Sequence, residues 1–238
     1  MEPLVTCVLL TADRPAMTAR AVCSFLAQTY ERKVLVIFDS GTQAQMDSEF
    51  WGASTNPVYV RAEQFRGSSI GALRNAANEL CQGTDIIAHW DSDDWSHPYR
   101  LAEQVDLLQA SRADAVGYHD MVFWQRYVGE AYLYCYSPAR DANSYALGTS
   151  LTYWRRTWER NKFINTREHG GKERGGEDNR FVRAVRCVSE HSMSAEVEPR
   201  MIAEIHGSNS VQEPGVLVGD NFTRVPEWDA YCRERMKP

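Results

Sequence analysis

Ile86-Ile87-Ala88-His89-Trp90-Asp91-Ser92-Asp93-Asp94 is the stretch that decides how this chain is read. Residues 86–90 are an apolar run suited to a buried strand, and three of the next four residues are carboxylates. Asp91 and Asp93, two apart on extended chain, would share a face. Negative charge packed so densely at a strand end calls for a cation. A hard divalent ion such as Mg2+ or Mn2+ takes oxygen ligands and keeps positions open for phosphates. The same residues also read as an acidic turn ahead of a helix, with Ser96 as N-cap, Pro98 in the first turn and Asp94 favouring the helix N-terminus.

Outward from this stretch the pattern repeats. Residues 5–11 and 34–38 are apolar and rich in β-branched side chains, as buried parallel strands are, and 58–61 is a weaker strand. Met17, Ala21, Phe25 and Leu26 predict a helix over 16–28; Ile70, Leu73, Ala77 and Leu80 predict another, closed by Gly83. Leu101, Val105 and Leu108 mark a third. Alternating strands and helices call for a parallel sheet flanked by helices, with ligands outside the carboxyl ends of its strands. Residues 11–14, 39–41 and 91–94 would then share one edge, and such a row of polar strand ends reads as a nucleotide site.

The second half is less regular. Residues 115–136 predict strands or a hairpin turning at Gly129, and 153–161 a short helix. Residues 167–176 read as a charged, Gly-rich surface loop. Residues 178–188 carry Phe181, Val182, Val185 and Val188 on one helical face. One domain is expected over 1–238, with a nucleotide-binding half over about 1–115, an acceptor half over about 116–210 and a C-terminal lid or tail over about 206–238.

Composition narrows the function classes. The chain has 238 residues, 43% hydrophobic and 24% charged, with a formal net charge of -6. It can bury a substantial core, and its charge argues against a broad grip on nucleic acid. No apolar run reaches membrane-span length, and Met1-Glu2-Pro3 lacks the start of a signal peptide. Six scattered cysteines form no CxxC pair and read as small buried hydrophobes in a reduced compartment. A cytoplasmic location is expected, with peripheral association at the inner membrane face left open.

Taken in order, several segments resemble the inverting family 2 glycosyltransferases and their GT-A fold. Val8-Leu9-Leu10-Thr11-Ala12-Asp13-Arg14-Pro15 resembles the opening strand and nucleotide loop, and Ser24-Phe25-Leu26-Ala27-Gln28-Thr29-Tyr30 the end of the first helix. Phe38-Asp39-Ser40-Gly41-Thr42 is similar to V-D-D-G-S, with Ser40 in place of the second Asp. Residues 71–75 resemble the segment flanking the donor diphosphate. Asp91-Ser92-Asp93-Asp94 is similar to the DxD metal motif, Gly176-Glu177-Asp178 to the segment supplying the catalytic base, and Ile205-His206-Gly207-Ser208-Asn209 to a late metal-contacting histidine.

The resemblance implies an α/β fold of GT-A type, Rossmann-like and nucleotide-sugar-binding, with a central mostly parallel mixed sheet flanked by helices. It implies a metal-dependent inverting hexosyltransferase using a nucleoside-diphosphate sugar, UDP-linked by first choice, with Mn2+ or Mg2+ as cofactor. Asp178, with Glu177 beside it, would be the catalytic base. Thr11, Ala12, Asp13, Arg14, Asp39, Arg74, Asp91 and Ser92 would hold the donor, and Asp93, Asp91 and His206 the metal.

Each residue also has a plainer reading. Asp39 can close an Asx-turn, Arg74 can be a solvated helix charge, Glu177 and Asp178 can favour a helix dipole, and His206 can be an ordinary polar residue. Trp90, Trp124, Trp154 and Trp158 read as core. Trp51, Trp95 and the tyrosines of 127–136 offer sugar-stacking platforms. The acceptor could be a glycan, a lipid-linked group, a protein or another hydroxyl bearer. A non-catalytic nucleotide-sugar-binding relative and a sugar nucleotidyltransferase are the alternatives. The latter wants a Gly-rich phosphate loop, which 11–15 lacks.

Overall fold

The computed structural model describes residues 2–44, 56–136, 145–165, 176–192, 198–207 and 221–237. Its core is a seven-stranded sheet in the order β10-β6-β9-β4-β1-β2-β3. The apolar runs form β1 (Val5–Thr11), β2 (Lys33–Asp39), β3 (Val58–Arg61) and β4 (Ile86–His89). β1 pairs in parallel with both β2 and β4, and β2 with β3. The carboxyl ends of these four strands therefore lie along one edge.

Side chains alternate across β1. Val5, Cys7 and Leu9 pack with α1 (Pro15–Leu26) and α3 (Arg100–Ser111), while Val8 faces α2 (Ile70–Glu79), α4 (Arg155–Arg160) and α5 (Glu177–Ala184). Helices thus cover both faces, as near-continuous apolar strands require.

A second, five-stranded sheet runs β12-β8-β7-β11-β5. The expected hairpin is β7 (Asp120–Gln125) and β8 (Glu130–Cys135), turning at Gly129 with φ +72°. β11 (Met201–Ile205) lies parallel to β7, and β12 (Phe222–Arg224) closes the β8 edge. α6 (Asp229–Arg235) brings Cys232 against Val122, Trp124 and Ile202, with Met236 just beyond. No described helix is long and apolar enough to cross a membrane.

Several expectations are corrected. Ser96 is not an N-cap: with Trp95 it forms β5, which pairs with β11, and α3 starts four residues later behind Tyr99. The short helix expected over 153–161 forms as α4, but its first two residues do not join it and 152–154 are not helical. They form β9 (Thr152–Trp154), inserted antiparallel between β4 and β6 (Ala115–Tyr118), and this makes the sheet mixed. The helix predicted over 178–188 ends at Ala184, and Val188 belongs to β10 (Cys187–Glu190), parallel to β6. Both misreadings come from short apolar runs, where helical and strand spacing cannot be told apart. Leu80, not Gly83, caps α2; Gly83 takes φ +75° in the following turn. Cys23 is exposed, unlike the buried Cys7, Cys81, Cys187 and Cys232.

Candidate active site

A cavity of about 370 Å³ opens where the strand ends of the first sheet meet β7 and β11 of the second. β4 delivers the acidic stretch to it, but Asp91–Asp94 is a turn, not extended chain. The chain crosses there from the first sheet to β5 of the second, so the three carboxylates point apart. Asp91 faces Arg74, at 3.6 Å. Asp93 accepts from Arg14 Nη1 at 2.9 Å and lies 3.1 Å from His206 Nε2. Buried Asp94 accepts from the Thr149 hydroxyl.

These surroundings set the protonation of the turn. Burial pushes the Asp93 carboxyl up, but the hydrogen bond from His206 and the charge of Arg14 outweigh it and hold it below its usual range. Burial, then the charges of Asp93 and Asp91, push Asp94 well above its own. Like charges this close favour one neutral member until a cation arrives. Asp93 and His206 offer oxygen and nitrogen donors that suit Mn2+ or Mg2+, while Asp91, on the same turn, is directed to Arg74 and is not gathered with them.

Across the cavity, Gly176 adopts φ +107° and starts α5, whose first turn presents Glu177 and Asp178. Asp178 Oδ1 sits 3.5 Å from Arg74 Nε. Neither atom has a hydrogen-bond partner among the described residues, nor does Arg74 Nη1, and all three are buried. Burial raises Asp178 to about 7; Arg74 opposes the rise, while Glu177 and Asp91 add to it. Arg74 is buried between two carboxylates, so the solvated-charge reading does not apply.

Asp178 depends on a gap beside it. A Cβ on Gly148 would lie 1.9 Å from Asp178 Oδ2. Gly148 is itself held by His89, whose Nδ1–H donates to its carbonyl at 2.6 Å. The other ring nitrogen faces the Tyr153 hydroxyl at 3.2 Å, which accepts from Asn78 at 2.9 Å. Burial keeps His89 neutral by driving its pKa well down, and Arg74 adds to this. His89 lies in the deciding stretch, yet sequence reading gave it no role.

The remaining expected residues divide. Thr11, Ala12, Arg14 and Ser92 line the cavity, and so does Ser40. Asp39 does not. It is fully buried, held by the Tyr59 hydroxyl at 2.5 Å, Arg61 at 3.0 Å and the Gly41 N–H at 2.9 Å. Asp13 is likewise off the wall: its exposed carboxylate accepts from the Thr42 N–H at 2.8 Å and hydroxyl at 2.7 Å, which hold it below its usual range.

The wall also includes Gly148, Thr149 and Glu204, to which sequence reading gave no role. Glu204 is buried in β11, paired with Arg20 at 2.5 Å and with Arg126. A lone carboxylate inside the apolar run 201–205 was its available signal. Trp95 packs on Tyr231 at 5.9 Å and Tyr134 on Phe222 at 5.0 Å, so these rings serve the second sheet. Trp51, most of the loop over 167–176, and Ser208 and Asn209 lie outside the described residues.

Fold and cavity together define an α/β protein with its site at the strand ends of a mostly parallel sheet, the place where nucleotides bind in such folds. The chain belongs to glycosyl transferase family 2, whose model matches residues 6–167. No curated protein sequence matches the chain. Among solved structures it resembles S. aureus TarS 1–349 with a TM-score of 0.60 at 14% identity, covering 84% of this chain and 60% of that one. It also resembles the mannosyltransferase PcManGT from Pyrobaculum calidifontis, solved with GDP-Man and Mn2+, with a TM-score of 0.59 at 16% identity over 90% of this chain and 59% of that one. The chain therefore spans about 60% of the length of these structures. At such identity the likeness establishes the GT-A fold.

Proposed function

We propose that this chain transfers a hexose from a nucleoside-diphosphate sugar, uridine-linked by first choice, to an acceptor hydroxyl with inversion at the anomeric carbon. The observation that carries the reading is Asp178. Its Oδ1 is buried at the cavity wall without a hydrogen-bond partner among the described residues, and its pKa is about 7. A general base works best when its pKa lies near the operating pH. In one displacement the acceptor oxygen attacks the anomeric carbon, its proton passes to Asp178, and the bond from that carbon to the diphosphate breaks.

The other residues take supporting parts in this proposal. Arg74 offers buried Nε and Nη1 donors to phosphate oxygens, as a guanidinium suits. Thr11, Ala12, Arg14 and Ser92 flank the donor, while Asp13 and Asp39 brace the loops beside it. Glu177 keeps Asp178 from ionising too early. Mn2+ or Mg2+ held by Asp93, Asp91 and His206 would supply Lewis-acid stabilisation of the diphosphate leaving group. TarS has been solved with UDP and UDP-GlcNAc and PcManGT with GDP-Man, which makes uridine and guanosine donors the first to try. The acceptor is a hydroxyl-bearing glycan, lipid-linked group or protein, met in the cytoplasm or at the inner membrane face.

Calorimetric titration of UDP, GDP, dTDP and CDP, each with and without Mn2+, tests the donor site. One nucleotide is expected to bind wild type in a metal-dependent way and to lose that binding in Asp93→Ala. Absence of nucleotide binding under every condition overturns the reading.

A further inference from the structure

Away from the donor cavity, the first sheet brings together a second group of metal-binding side chains. β10 and β6 run parallel with Glu190 opposite Tyr118. The residue just beyond each strand end is a histidine, His191 after β10 and His119 after β6. The register therefore sets the two imidazoles side by side, with ring centroids 4.3 Å apart. Asp120, the first residue of β7, follows His119 directly.

The three ligand atoms converge. His119 Nε2 lies 3.2 Å from His191 Nδ1, and His191 Nδ1 lies 2.6 Å from Asp120 Oδ2. All three atoms fall within 4.8 Å of one another. Their outer contacts hold them in this direction. The far nitrogen of His119 meets the Ser189 hydroxyl at 3.2 Å, which leaves a lone pair on Nε2 facing inward when Nδ1 carries the proton. The Ser192 N–H donates to Asp120 Oδ1 at 2.5 Å, turning Oδ2 toward the rings. Outer partners that fix ring tautomer and carboxylate orientation are typical of metal centres.

A hydrogen-bonded cluster alone explains the arrangement less well. A single proton on His191 Nδ1 would have to serve both Asp120 and His119. The buried Asp120 carboxylate has His191 as its ion-pair partner among the described residues, and that ring is 66% exposed. A cation at the convergence point would satisfy both nitrogens and the oxygen together.

We propose that His119, Asp120 and His191 form a second cation site, for a borderline divalent ion of the Zn2+ class, that ties the end of β10 to the crossover between the two sheets. Two imidazoles and one carboxylate are a ligand set that Zn2+ favours, with water in the fourth position. The set differs in kind from the oxygen-rich group at Asp91 and Asp93. The site stands independently of sugar transfer.

The test strips the full-length protein with chelator and titrates it with Zn2+ by calorimetry and with Co2+ by visible absorption. Wild type is expected to take up Zn2+ at this site, to show the absorption of nitrogen-ligated Co2+, and to melt at a higher temperature with Zn2+ present. His191→Ala should weaken that uptake by at least about tenfold and remove the melting shift, while Asp93→Ala keeps both. His191 is exposed, so metal-free His191→Ala should melt with wild type; His119→Gln is the second variant if it does not. Equal Zn2+ uptake by wild type and both histidine variants overturns the proposal. So does loss of uptake in Asp93→Ala alone.

Discussion

At the scale of single residues, the site turns on Asp178 and the space kept for it. Its pKa of about 7 stands above the ordinary carboxylate value of 3.8, so the fold favours the neutral form. That contribution to stability is fully present below the ordinary value and is lost as pH rises toward about 7. Activity, which needs the ionised base, runs the other way. A profile of kcat/KM against pH should rise through about 7, and Asp178→Asn should lower transfer by about 10²–10⁴-fold while leaving nucleotide binding in place. Gly148→Ala tests the space itself. The new Cβ would displace the carboxylate, and kcat should fall about 10²-fold with little change in donor affinity. Sequence spacing could name Asp178, Asp93 and Arg74 by resemblance. It could not show that Arg74 lies between Asp91 and Asp178, nor that His89 holds Gly148, because those contacts join strands far apart in the chain.

At the scale of elements, β1 to β4 and the first three helices were legible from apolar periodicity, since each is long enough for its period to show. β9 and β10 were not. Each is a strand of three or four residues next to a helix, and their membership of the sheet is settled by pairing partners, not by their own pattern. The close fit of α2 was also out of reach of periodicity. A Cβ on Gly71 would lie 2.0 Å from the Ile164 carbonyl oxygen, so this helix docks through a position that admits no side chain. Gly71→Ala should destabilise the fold by about 1–3 kcal/mol, read by denaturant unfolding. It should also weaken donor binding, because α2 carries Arg74 three residues on.

At the scale of the whole molecule, Glu204 links the sheets. From β11 it receives Arg20 of α1 and Arg126 beyond β7, and the same two arginines donate to the Met236 carbonyl at 3.0 and 3.1 Å. Removing one partner of a buried pair strands the other charges, so Glu204→Ala should cost about 3–5 kcal/mol. Thermal unfolding would register it, and the loss should come in one transition if the two sheets unfold together. The crossing at Asp91–Asp94 carries a further consequence. Asp93 hangs from the end of a strand in one sheet and His206 from the end of a strand in the other, yet 3.1 Å separates them. That contact acts as a gauge of how the two sheets are seated. A substitution deep in the second sheet, touching no ligand, would be felt at the cavity as a change in which ion fits.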